Sequence, residues 1–433
     1  MKKVLIFTGL LCLSGMEAFG QISTGDLQFW NPAGKAGLNT FETGKEDTVP
    51  YQGLQVRVGG AFTIQFQALD HENAAVPRYA PDDVDEEVNL NQLYDLGPGF
   101  NLATANLNLE AQLEDGIRLE LVTYLSSRHH PEAWVKGGYL QFDKMLFLNS
   151  GLVDNIMEYV TVKVGHMEIN YGDAHFRRTD NGNSFKNPFV GNYIMDAFAT
   201  EMGGEVYFNY KGFLAMAGVT SGQITGSVQR NPGGRDPAFL GKLGYDGQIN
   251  DDLRLRLTGS VYAIDNAARS TLYSGDRAGS RYYNVMDNEA VNSFTNGRYN
   301  PEFSKHITAM VLNPFLKFHG LEFFGNFETA TGFGTGESSD RTWNQMGVDL
   351  LYRFGAKEKF YIGGRYNSAY GEMKGTGDAV TINRFAGGMG YFIGNNILCK
   401  AEYVNQEYDG FAETNILHGG RFNGLVLEGS IFF

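Results

Sequence analysis

Apolar and polar positions alternate in twos through most of this chain. From Leu54 the apolar row runs Val56, Val58, Phe62, Ile64 and Phe66, with Gln55, Arg57, Thr63, Gln65 and Gln67 between. Further on, Leu107 and Leu109 oppose Asn106, Asn108 and Glu110. Leu119 and Leu121 oppose Arg118 and Glu120. Leu253, Leu255 and Leu257 oppose Arg254 and Arg256. The last stretch repeats it: Leu425, Leu427, Gly429, Ile431 and Phe433 make one face, and Val426, Glu428, Ser430 and Phe432 the other. A period of two places successive side chains on opposite faces of a strand, so each segment predicts a two-faced strand.

The strands come in pairs joined by short turns near Asp115-Gly116, Lys211-Gly212, Asn250-Asp251, His319-Gly320, Gly355-Ala356 and Gly394-Asn395. One connection, about Asn149 to Tyr159, is longer and suits a short helix. Between the pairs lie long polar stretches, among them 70–98, 170–199 and 265–303. Strict alternation of short turns with long loops is the rhythm of a transmembrane antiparallel β-barrel, with periplasmic turns and extracellular loops. The expected fold is therefore all-β, with about sixteen strands, within two either way. An Arg at the bilayer midplane on the lipid face costs about 2–4 kcal/mol, which sends the charged row inward. The expected lumen-facing row includes Arg57, Arg118, Glu120, Lys136, Arg254, Arg256, Glu328, Arg365, Lys400 and Glu402. Side chains cannot fill a barrel of this girth, so its lumen is expected to hold water.

Composition agrees. Gly 56, Phe 32 and Tyr 23 are plentiful and Pro is only 11, as in an all-β chain. A net charge of −14 disfavours a nucleic-acid partner. A mean hydropathy of −0.27 is compatible with a barrel, because polar loops and lumen offset the lipid face. Lys2 and Lys3, the apolar run Val4–Gly15 and the small-x-small site Ala18-Phe19-Gly20 read as a cleaved signal peptide, residues 1–20. Residues 21–52 then form a polar periplasmic lead-in or plug-like segment, and 53–433 the barrel.

Candidate chemistry is sparse. Cys12 falls in the leader and Cys399 stands alone, so no disulfide is expected. His129-His130-Pro131-Glu132 has no further ligand cluster nearby, and Asp82, Asp83, Asp85, Glu86 and Glu87 lack calcium-loop spacing. No G-x-S-x-G or comparable nucleophile context occurs. No enzyme activity, metal or cofactor is expected.

Three stretches carry a resemblance to outer-membrane porins of Bacteroidota-type bacteria, similar in layout to the phosphate-selective porin O/P family. They are Leu113–Leu121 with the following Ser126-Ser-Arg-His-His, Val162–Glu168, and Ile397–Tyr408 with the terminal strand. The resemblance implies a sixteen-stranded barrel, usually a homotrimer, set in outer-membrane lipid and passing small solutes. In general porins the third loop folds inward and narrows the lumen. Here that loop holds His175, Arg177, Arg178, Asp180 and Lys186, whose cations would favour anions. The alternative is a solvated external loop. With only Lys186 and two Arg, the loop departs from the lysine-rich O/P pattern. The expected function is passive diffusion of small hydrophilic solutes or ions. The rival is a non-conducting structural or interaction barrel of a secretion or surface-attachment system.

Overall fold

The computed structural model describes residues 21–22, 26–47, 49–79, 88–126, 133–224, 228, 234–274, 282–288 and 296–433. The expected leader, the tip at 129–132 and the acidic run 82–87 lie outside them.

Sixteen strands of eight residues or more form one antiparallel sheet. They are β1 (Gln55–Glu72), β2 (Thr104–Glu114), β3 (Ile117–Ser126), β4 (Ala133–Phe142), β5 (Val160–Glu168), β6 (Thr200–Tyr210), β7 (Phe213–Thr220) and β8 (Ala238–Gln248). The second half is β9 (Leu253–Ile264), β10 (His306–Phe318), β11 (Leu321–Phe333), β12 (Arg341–Phe354), β13 (Phe360–Glu372), β14 (Ala379–Ile393), β15 (Ile397–Asp409) and β16 (Arg421–Phe432). Each pairs with its neighbour in sequence, and β16 returns to β1 with Leu427 opposite Phe66. The sheet is a closed barrel, and closure removes the exposed edge a terminal strand would otherwise present.

The short turns fall where the sequence places them. Lys211 and Gly212 both take positive φ, 48° and 86°, the conformation a two-residue hairpin with the strands' own twist requires. The longer connection carries the helix α1, Gly151–Met157.

Alternation maps onto the two sides of the wall. Along β12, Met346, Leu350, Tyr352 and Phe354 are exposed outward while Gln345, Asp349 and Arg353 are buried. Along β16, Leu425 and Leu427 are exposed while Glu428 and Ser430 are buried. No described helix is long and apolar enough to cross a membrane, so strands would make any crossing.

The interior differs from the expectation of a largely water-filled lumen. Segment 169–199, the connection between β5 and β6, packs inside with Ile169, Tyr171, Val190, Ile194 and Met195 buried. From the wall, Tyr262, Ile307, Trp343, Ile382 and Phe422 meet this cluster. Part of the β9–β10 connection lies on it: Tyr299 donates its amide to the Ile194 carbonyl, and Phe198 bonds Leu272. The N-terminal segment 26–47 packs in from the short-turn end, reaching Gly116, Asn395 and Lys357. Wall side chains alone do not fill a barrel this wide. Chain folded inward does.

Candidate functional site

The inward row works first as a hydrogen-bonding frame for segment 169–199. An irregular segment carries backbone amides and carbonyls with no ladder partner, and once buried each must find one. The wall supplies them. Lys400 Nζ donates to the carbonyls of Ser184 (2.9 Å), Asn187 (3.1 Å) and Phe189 (3.0 Å). Arg365 donates to Gly191 (2.7 Å). Gln345 accepts from the Met195 amide and donates to its carbonyl. Glu402 accepts from the Val190 amide (2.7 Å).

On β1 and β2, beyond β16 in the closed sheet, the fit is close. Thr63 Oγ1 donates to the Gly182 carbonyl (2.6 Å), and Asn181 Nδ2 to that of Ala105 (2.7 Å). A Cβ on Gly182 would stand 2.6 Å from the Ala105 Cα, so only glycine permits this approach.

The loop charges then separate. Arg177 is buried, paired with Glu322 at 2.7 Å and set over the rings of Phe315 and Phe324. Arg178 donates to Asp196 (2.9 Å) and lies 4.0 Å over Phe198. Burial lowers its guanidinium pKa, but Asp196 outweighs that and holds it well above its ordinary value. His175 bonds Glu168 and Asn170, and its ring lies tilted against that of Phe176. Asp180 pairs with Lys136, and half-buried Lys186 lies 5.7 Å over the Phe432 ring.

Between the β1–β6 wall and this loop a polar cavity of about 270 Å³ remains. Of the sequence-derived candidates, Arg57, Arg118, Glu120 and Lys136 line it from the wall, and His175, Arg178, Asp180 and Lys186 from the loop. Arg177, Arg254, Arg256, Glu328, Arg365, Lys400 and Glu402 do not. Arg256 is bound to Asp173 (2.8 Å), Arg365 to Asp349 (2.6 Å) and Arg254 to Asp246 (2.7 Å). Glu328 accepts from the phenols of Tyr171 (3.1 Å) and Tyr273 (2.5 Å), both carried by interior loops. Within the cavity, Arg57 pairs with Glu110 and Glu120 accepts from Tyr139.

Sequence reasoning missed Lys163 and Trp30. Lys163 lines the cavity 4.2 Å from the Tyr139 ring. Its signal was present, since Val162 and Val164 flank it on the outward parity. Neither Lys163 nor Lys186 has a carboxylate partner among the described residues. Trp30 lies under Arg118 at 4.4 Å and under Arg57 at 5.6 Å. Nothing local in 21–52 signals that placement.

Glu42 of the N-terminal segment and Asp173 of the third loop meet at Lys242 and Arg256. Lys242 is 3.0 Å from each carboxylate, and Arg256 is 2.7 Å from Glu42 and 2.8 Å from Asp173. Burial pushes both carboxyls up, but the two cations outweigh it and hold both below the usual carboxylate range.

No family model matches the chain, and no curated protein matches it in sequence. Solved structures do. OmpT, an outer membrane protein of Vibrio cholerae, is 11 % identical over 89 % of this chain and 99 % of that one, with a TM-score of 0.50. An anion-selective porin from Comamonas acidovorans is 10 % identical over 88 % and 100 %, TM-score 0.50. OprB of Pseudomonas putida is 12 % identical over 87 % and 94 %, TM-score 0.50. At such identities the likeness is one of fold, and the chain has the closed sixteen-stranded barrel of the outer-membrane porins.

Proposed function

We propose that this chain is an outer-membrane channel for passive diffusion of small hydrophilic solutes or ions. The passage is the cavity between the β1–β6 wall and the third loop, and that loop is its constriction. The observation that carries the reading is the division of the wall. Its outward row is apolar around the barrel, while a cavity rich in charged side chains runs between wall and loop. Charged groups lining a narrow water path select permeants by direct Coulomb interaction. The solved porins that share the fold support the reading. One of them is described as anion-selective and another as a trimer form. A signal peptide at residues 1–20, export to the outer membrane and a homotrimer belong to the same proposal, as does the Bacteroidota-type, O/P-like layout.

Planar-bilayer recording of the purified protein tests it. Ohmic steps support the channel. A folded, membrane-inserted barrel that stays silent with segment 26–47 deleted as well as present rejects it.

One observation favours a non-conducting structural or interaction barrel instead. Three segments pack into the lumen, and wall groups such as Lys400 and Glu402 are engaged in holding the third loop. Silence in both forms selects this second reading.

A further inference from the structure

The N-terminal segment forms one side of the cavity, through Trp30–Ala33 and Phe41–Thr43. It is tied around the barrel at the short-turn end. Gln28 accepts from the Gly116 amide, the Lys35 amide donates to Asn395, Asn39 to Glu322, and Lys45 to the carbonyls of Asp143 and Val160. No described stretch of 26–47 joins the sheet; its one regular element is a single 3-10 turn, Gly34–Gly37.

What the wall would keep if this segment left is informative. Glu322 would still hold Arg353 (2.8 Å) and Arg177 (2.7 Å). Lys242 and Arg256 would still hold Asp173. Asp143 would still accept from Thr161 (2.7 Å) and Gln141 (3.0 Å), and Arg254 would still hold Asp246. Stripping a buried ion of its last partner is the costly event. Lys242 and Arg256 would lose Glu42, and Asp143 would lose Lys45, but each of the three keeps another partner. The departing Lys35, Glu42 and Lys45 would pass into water. The third loop is the opposite case. Its withdrawal would take Tyr171 from Glu328 and the Val190 amide from Glu402, and it would break the large apolar cluster.

We infer that residues 26–47 are a displaceable plug. Seated, they close the passage at the short-turn end; withdrawn, they leave a wall whose buried ions that touched them each keep a partner. The inference rests on the channel reading and adds to it that the seated state is the closed one. The third loop stays fixed while the plug moves.

The test locks the plug in place. The Lys35 amide lies 2.7 Å from the Asn395 carbonyl, which brings the two backbones within the span a disulfide bridges. Full-length Lys35→Cys/Asn395→Cys is made in a Cys399→Ala background and recorded in planar bilayers, oxidised and then reduced on the same membrane. A variant lacking 26–47 is recorded beside it. The expected result is at least a tenfold lower mean conductance in the oxidised form, restored by reductant, and a deletion variant that stays open. The reversible lock needs no deletion variant to fold. Equal conductance before and after reduction, with the disulfide verified by mass, overturns the plug and leaves the channel standing. Silence in every form overturns both.

Discussion

Glu42 and Asp173, far apart in sequence, accept from the same two wall cations, Lys242 and Arg256. Neither carboxylate is redundant, but they are not equal. Asp173 also accepts from Thr258 (2.7 Å) and lies wholly buried, whereas Glu42 sits at the edge of the cavity. Asp173→Asn leaves two buried cations short of charge and is expected to cost about 3–5 kcal/mol. Glu42→Gln leaves them with Asp173 and should cost about 1–3 kcal/mol. Urea unfolding of the refolded barrel in detergent ranks the two, and equal costs would refute the assignment.

The same cluster sets an acid limit. Both carboxyls have depressed folded-state pKa values, so their contribution is fully present above the unfolded carboxylate pKa. It is lost as pH falls through the depressed values. The groups facing Glu42 are Lys242, Arg256 and Asn170, and those facing Asp173 are Lys242, Arg256 and Thr258. Thermal stability should be flat from pH 7 to about 5 and fall below about 4. Protease access to segment 26–47 should rise over the same interval. A loss centred near neutrality would point to a different group.

Charge preference should follow the cavity and not the loop's cation count. Lys186 and Lys163 line the cavity, and Arg177 does not. At physiological salt a Debye length of about 8 Å screens charges remote from the water path. Reversal potential in asymmetric KCl should move toward cation preference in Lys163→Glu and Lys186→Glu. In Arg177→Ala it should stay put while stability drops, because Glu322 loses one of its two guanidinium partners. A shift for Arg177→Ala alone would relocate the passage.

Gly182 is a tight backbone contact between loop and wall. Gly182→Val meets the Ala105 Cα and the Ala61 carbonyl, so loop or wall must shift, at a cost of about 1–3 kcal/mol. The readout is a lowered melting temperature of the heat-modifiable band on gels. A melting temperature matching wild type would mean the loop does not bear on this wall.

The outward row makes a separate prediction. Leu427 is about half exposed on β16, while its neighbour Glu428 is buried against Lys400. Leu427→Arg should destabilise the vesicle-folded protein by about 2–4 kcal/mol if that face meets hydrocarbon. The same protein in a solubilising detergent should lose less.

Barrel, strand number and turn positions were legible because each is written locally. A period of two assigns every residue to a side, and Asp115-Gly116 or Lys211-Gly212 marks a turn through two residues alone. Where an inward side chain finds its partner was not legible. Arg177 and Lys186 belong to one loop and read alike, yet one ends over the Phe324 ring and the other beside the cavity. Their partners Glu322 and Phe432 come from strands far along the chain. Parity says which side of a wall a group occupies and nothing of what crosses the space to meet it. The filled interior escaped notice for the same reason: each stretch that fills it is irregular on its own, with no period to say where its apolar residues go.

The seam between β16 and β1 orders the events of assembly. Phe66 and Leu427 must meet across nearly the whole chain, the kind of distant pairing that forms late and slowly. The third loop, unlike the plug, stays fixed inside, so that cargo is expected to be stowed before the hull is sealed. A mutation that delays the inward tuck of the third loop should therefore appear first as a kinetic defect. Half-zipped sheets would accumulate, waiting with an empty hold.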